Sequence, residues 1–142
     1  VRITILVAAA LTFGCTTLAD PQSLTGRKEL VEVDGRRLPI SKGRLPQRDG
    51  SQSQYNYILA RGHLDLRPDH SFQIYYEHQN SATRQVLART DQSGTYALAG
   101  NRLILEGAPQ VHPSGRPNRW EGTIAPAVIT IQFNDERLVF RR

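Results

Sequence analysis

The amino-acid sequence predicts an all-β protein whose strands close into an antiparallel up-and-down β-barrel, with a two-sheet β-sandwich as the alternative arrangement. Three observations carry this expectation. After about Asp20 the apolar residues mostly alternate with polar ones, the period of strands with one buried face, and no segment sustains a helical stripe. The alternating segments are joined mainly by short turns rich in Gly, Pro, Asn and Asp, which makes successive strands antiparallel neighbours. The chain has 142 residues, a length for one hydrophobic core, and closing so many hairpins into a barrel removes the sheet edges they would otherwise expose.

The N-terminus reads as an address. Arg2 precedes an apolar stretch, residues 3–13, in which only Thr4 and Thr12 are polar; it has the length of a secretory signal core and is too short to span a bilayer. Two exits are open. Thr17-Leu18-Ala19 before Asp20 places small residues where signal peptidase cuts, and Gly14 before Cys15 fits lipoprotein processing, although Thr12 and Phe13 stand where a lipobox usually carries Leu and a small residue. Residues 1–19 are therefore expected to be a signal peptide, or 1–14 with Cys15 as a lipidation site. Residues 20–27 follow as a linker and 28–142 as a single barrel domain. The expected location is exported: periplasmic or extracellular, or membrane-anchored through Cys15.

The strands follow in order. Residues 29–33 and 36–40 flank Asp34-Gly35, a pair that accommodates the positive φ angles of a two-residue hairpin turn, and Pro39 shortens the second arm. Residues 41–53 read as a polar loop. Strands are expected at 54–59 and 62–67, with a bulge at Arg61-Gly62, and Pro68-Asp69-His70-Ser71 turns into 72–78. Residues 79–83 form a polar loop, and 84–90 is a strand or a short helical turn. Residues 94–98 and 102–106 make a second hairpin. A loop at 107–118 with three prolines leads to 119–124, 128–133 and 137–141, for nine to eleven strands in all.

Several of these pieces, residues 33–39, 62–72, 93–105 and 138–142, together resemble the lipocalin-like small β-barrel proteins found behind signal peptides in bacteria. The resemblance covers most of residues 28–142. It implies a calycin-type barrel and an envelope location, and it brings no catalytic residues with it.

Taken literally, the alternation turns Val31, Val33, Leu38, Tyr55, Tyr57, Leu59, Leu64, Leu66, Phe72, Ile74, Tyr76, Tyr96, Leu98, Leu103, Leu105, Trp120, Ile124, Ile129, Ile131, Phe133, Leu138 and Phe140 inward. This set holds no acid, base or metal ligand, which counts against catalysis inside the barrel. It does hold Tyr55, Tyr57, Tyr76, Tyr96 and Trp120, which either line a small apolar pocket with hydroxyl handles or simply fill the core. The four histidines, His63, His70, His78 and His112, lack the spacing of a local ligand pair and read as surface residues. Neither a metal site nor a cofactor is expected.

Charge adds one further candidate. There are 18 Lys and Arg against 13 Asp and Glu, a formal charge of +5, and 16 of the basic residues are arginine. Arg36, Arg37, Arg44 and Arg48 cluster around the first hairpin and its loop, where guanidinium forks would suit an anionic partner such as an envelope component; a solvated surface is the plainer reading. Export disfavours nucleic acid, and membrane contact is expected only through a lipid anchor. The function so predicted is an exported, non-enzymatic binding module for a small apolar or amphipathic ligand. The alternative is an interaction or inhibitor-like protein presenting loops 41–53 and 107–118 to a macromolecule.

Overall fold

The computed structural model describes residues 24–46, 49–108 and 118–142. Alternating side chains and turn residues produce ten strands in one antiparallel sheet: β1 Gly26–Val33, β2 Arg36–Arg37, β3 Ile40–Pro46, β4 Gln52–Leu66, β5 Ser71–Asn80, β6 Val86–Ala99, β7 Arg102–Gly107, β8 Arg119–Ala125, β9 Val128–Phe133 and β10 Glu136–Arg141. β1 pairs with β10 on one side and with β4 on the other, so eight strands, β1 and β4 to β10, close an up-and-down barrel. Closure satisfies the backbone groups that an open sheet would leave at its edges. The sandwich arrangement is thereby set aside.

β2 and β3 lie where the wall divides. The first half of β1, from Gly26 to Glu29, pairs with β4 residues 63–66; beyond it, Glu32 and Val33 pair with β2, while Ile40 of β3 pairs with Leu59 of β4. Leu38, between β2 and β3, packs against the core, and its amide donates to the Val31 carbonyl at 3.1 Å.

The turns follow their residues. Asp34 and Gly35 take φ of 50° and 80°, as a two-residue hairpin requires, and the Asp34 carboxylate accepts the Arg137 amide at 2.8 Å, tying the turn to β10. Asp69 Oδ1 accepts both the amide and the hydroxyl of Ser71, at 2.9 and 2.6 Å, which holds His70 at a φ of 63° without a glycine.

Several expectations need correction, among them that 54–59 and 62–67 are separate strands, since β4 runs unbroken from Gln52 to Leu66. Residues 41–53 are not a loop throughout: 40–46 form β3, which keeps its pairing with β4 by a register shift beside Gly43, at a φ of 89°. β6 runs unbroken from Val86 to Ala99 and absorbs both the weak strand at 84–90 and the separate strand at 94–98. In β1 a register shift between Leu30 and Glu32 turns Lys28, Leu30 and Val33 inward, so Val31 is only half-buried.

The core is one cluster inside the barrel, with Phe72, Ile74, Leu64, Leu66, Leu103, Leu105, Ile131, Leu138 and Phe140 fully buried. Each lies at a position the alternation assigned inward. Tyr55 and Leu98 do not: they are 48% and 39% exposed, because both sit toward ends of long strands that extend past their neighbours. Charge is not confined to the surface either. Lys28 is buried inside the barrel, a correction to an inward set read as free of ionisable groups, and Glu77 is buried on the outer wall.

Antiparallel order gives the barrel two ends. The base holds Leu24, the start of β1 and the turn between β8 and β9. The mouth holds the start of β4, the end of β5, the start of β6 and the turn between β9 and β10.

Candidate functional site at the barrel mouth

The inward phase of β5 runs Phe72, Ile74, Tyr76 and His78, so the same alternation that builds the core carries a tyrosine and a histidine up to the mouth. Tyr76 is buried and meets Phe133 edge-on at 6.3 Å. Phe133 lies against Trp120 at 4.7 Å, and Trp120 meets Phe72 edge-on at 6.3 Å. At the outer end of this row His78 touches Tyr76 at 5.9 Å and Tyr57, from β4, at 5.5 Å. The result is a continuous series of ring contacts from the core to the rim.

Polar groups converge on the outer end. Lys42 of β3 donates to Glu136 of β10 at 2.7 Å, an ion pair between strands 94 residues apart in sequence. Thr90, on β6 opposite Tyr76, hydrogen-bonds the tyrosine side chain. Trp120 Nε1 donates to Asn134 Oδ1 at 3.1 Å, which fixes the indole below the β9–β10 turn.

The electrostatics of the cluster keep its rings neutral. Burial lowers the His78 pKa from its ordinary value of 6.5; the Lys42 ammonium acts in the same direction and Glu136 against it. Burial likewise raises the Tyr76 hydroxyl above 10.0, opposed by its bond to Thr90. At neutral pH the mouth therefore offers an aromatic floor, an uncharged imidazole and hydroxyl, and one part-buried ion pair. Such a set can stack on an apolar ring and hydrogen-bond a polar substituent.

The predicted aromatic residues divide between three places. Tyr57, Tyr76 and Trp120 come together at the mouth. Tyr55 is exposed farther out on β4, and Tyr96 lies toward the base, where its hydroxyl donates to the Arg67 carbonyl at 3.0 Å and its ring rests on His70 at 5.3 Å. Arg36 and Arg37 are exposed on β2 and Arg44 on β3; Arg48, His112 and Cys15 lie outside the described residues, as do the signal segment and residues 109–117 of the second loop. The anchors of that loop stand at the mouth, where the Gly107 amide donates to Asn118 at 2.6 Å.

His78, Lys42, Glu136 and Thr90 were not among the expected site residues. The parity of 72, 74 and 76 was enough to turn His78 inward; Lys42, by contrast, fell in a segment read as loop. His63 stays on the outer wall, stacked on Tyr75 at 5.2 Å, and burial lowers its pKa below 6.5. Among the described residues no group of three or more His, Cys, Asp or Glu side chains is placed to hold a metal ion.

Two buried charges lie elsewhere. At the base the Lys28 ammonium donates to the carbonyls of Leu24, Thr25 and Gly26 at 2.9, 3.0 and 3.3 Å. On the outer wall Glu77 accepts from Arg61 Nε, Tyr75 Oη and Gln79 Nε2 at 2.7, 2.7 and 2.6 Å. Comparison of the chain with protein-family models, with curated proteins and with solved structures finds no match.

Proposed function

We propose that this chain is an exported, lipocalin-like binding module, not an enzyme, and that it takes a small amphipathic ligand at the barrel mouth. The observation that carries the reading is the union, at one end of a closed barrel, of an aromatic floor with a polar rim: Trp120, Phe133, Tyr76 and Tyr57 beneath His78, Thr90 and the Lys42–Glu136 pair. The interior below is filled by side chains such as Phe72, Ile74, Leu105 and Ile131, so a ligand docks onto the ring series and does not descend into the barrel. An aromatic or alicyclic body with one polar or anionic substituent matches this chemistry, the substituent facing Lys42 and His78.

Titration with 2-naphthoate, followed through the fluorescence of the single tryptophan, tests the reading. Saturable quenching of Trp120 that Tyr57→Ala and His78→Ala weaken about tenfold supports it. Binding unaffected by both substitutions contradicts it.

A second reading rests on the arm formed by β3 and the first half of β4. It carries exposed Arg44 opposite Asn56, with exposed Tyr55 beside it, and Arg and Tyr are the residue types that anchor protein interfaces. On this reading the arm contacts a macromolecule of the envelope. A partner recovered with the wild-type chain and lost with Arg44→Glu and Tyr55→Ala supports it; an unchanged partner list refutes it.

A further inference from the structure

A concavity distinct from the mouth lies along β1, where the wall divides. Where β1 bulges at Val31 and the chain folds over it through β2, a groove of about 380 Å³ opens, lined by Leu30, Val31, Glu32, Arg37, Leu38 and Arg141. Its volume falls in the lower part of the range of small-molecule sites. The apolar part of the lining is Val31 and Leu38 over the buried Leu30, and Leu30 and Leu38 both pack into the core, so this apolar part is anchored.

The charges in the lining do not cancel. Glu32 is engaged by Arg137 Nη2 at 3.1 Å, outside the groove. Arg37 and Arg141 are exposed, and among the described residues neither forms an ion pair. Two guanidinium groups thus border an apolar surface and outnumber the one carboxylate of the lining, Glu32, which Arg137 also engages. Guanidinium forks select planar or tetrahedral oxyanions, and the aliphatic residues beside them favour a hydrocarbon attached to that anion.

We infer that this groove binds a single-chain amphiphile with an anionic oxygen head, an alkyl carboxylate or alkyl phosphate, its head between Arg37 and Arg141 and its chain along Val31 and Leu38. The site is separate from the mouth and does not rest on the function proposed for it. It also narrows the arginine cluster suggested by the sequence: Arg37 acts with Arg141, a residue more than a hundred positions away that β10 brings beside β1, and not with its neighbours in the chain.

The test is calorimetric titration of the full chain with decanoate and with decyl phosphate, both below their micellar concentrations. Inorganic phosphate and decyl maltoside serve as head-only and uncharged controls. Methyl NMR shifts of Val31 and Leu38 locate the site. Saturable binding of either anionic amphiphile, with shifts at those methyls and about tenfold weaker affinity in Arg37→Gln/Arg141→Gln, supports the inference, and the stronger of the two identifies the head. Both substitutions replace exposed side chains, and an unchanged circular dichroism spectrum confirms the fold of the variant. Equal binding of inorganic phosphate overturns it in favour of a simple anion site, and equal binding of decyl maltoside in favour of an uncharged apolar patch. Shifts at Trp120 Nε1 and His78 in place of Val31 and Leu38 overturn the groove while supporting the mouth.

Discussion

Replacing Glu77 by Ala removes the acceptor on which three donors of the outer wall converge, Arg61, Tyr75 and Gln79. Glu77 itself is 1% exposed, whereas the side chain of Arg61 is 71% exposed, so the arginine recovers water once its partner is gone. A hydrogen bond to a charged group contributes about 1.5–3 kcal/mol. With Arg61 rehydrated and Tyr75 and Gln79 half-buried, the expected loss is about 2–3 kcal/mol, near one such bond and well below three. Urea unfolding followed by Trp120 fluorescence measures it. The pH dependence supplies a second check. The Tyr75 hydroxyl, with Arg61 and Gln79, holds the Glu77 carboxyl below its ordinary 4.5 despite burial. A lowered folded value means that the stabilisation is complete above 4.5 and is lost as pH falls through the folded value. Glu77→Gln lacks this titration, so the stability gap between wild type and Glu77→Gln is constant near neutrality and narrows in acid. A loss under about 0.5 kcal/mol in Glu77→Ala, or a gap that does not change on acidification, refutes the reasoning.

Other substitutions probe the frame around the mouth and base. Lys28→Met keeps the aliphatic stem but leaves the Leu24, Thr25 and Gly26 carbonyls without their donor, and is expected to lower stability by about 2 kcal/mol and to speed amide exchange at the start of β1. Gly94→Ala would push a methyl group into the Glu106 carbonyl oxygen where β6 pairs with β7, so destabilisation by more than about 2 kcal/mol is expected in thermal unfolding. Ala127→Gly should act oppositely: Ala127 holds a φ of 64° after Pro126 in the two-residue β8–β9 turn, and relieving that strain is expected to add about 0.5–1 kcal/mol, read as a higher melting temperature.

Period-two alternation made the barrel legible because the paired lengths of β4 to β10 keep one face toward the same core: Leu64, Phe72, Ile74, Leu103, Leu105, Ile131 and Phe140 all lie where it put them. It failed where a strand changes phase. The bulge at Val31 exchanged the inward residues of β1 and buried Lys28, which no polarity pattern assigns to an interior. β3 was hidden because Gly43 and Pro46 read as loop residues, although a glycine bulge and an edge proline are both compatible with a strand. For the site, the aromatic half was visible in Tyr57, Tyr76 and Trp120, while the polar half depends on pairings between distant strands. Lys42 and Glu136 meet only because the closed sheet brings β3 and β10 to one end, and Arg37 and Arg141 share a groove for the corresponding reason. Glu77 escaped notice because its burial arises on the outer wall, from the side chains that cover it.

The most direct test of the mouth as a ligand site is native mass spectrometry of the chain purified from its own host, wild type beside Tyr57→Ala/His78→Ala. The expected result is a discrete small-molecule adduct on the wild type that is absent or strongly reduced in the double variant, with both chains folded by circular dichroism. A wild-type chain that flies at its bare mass, or an adduct retained undiminished by the double variant, would contradict it.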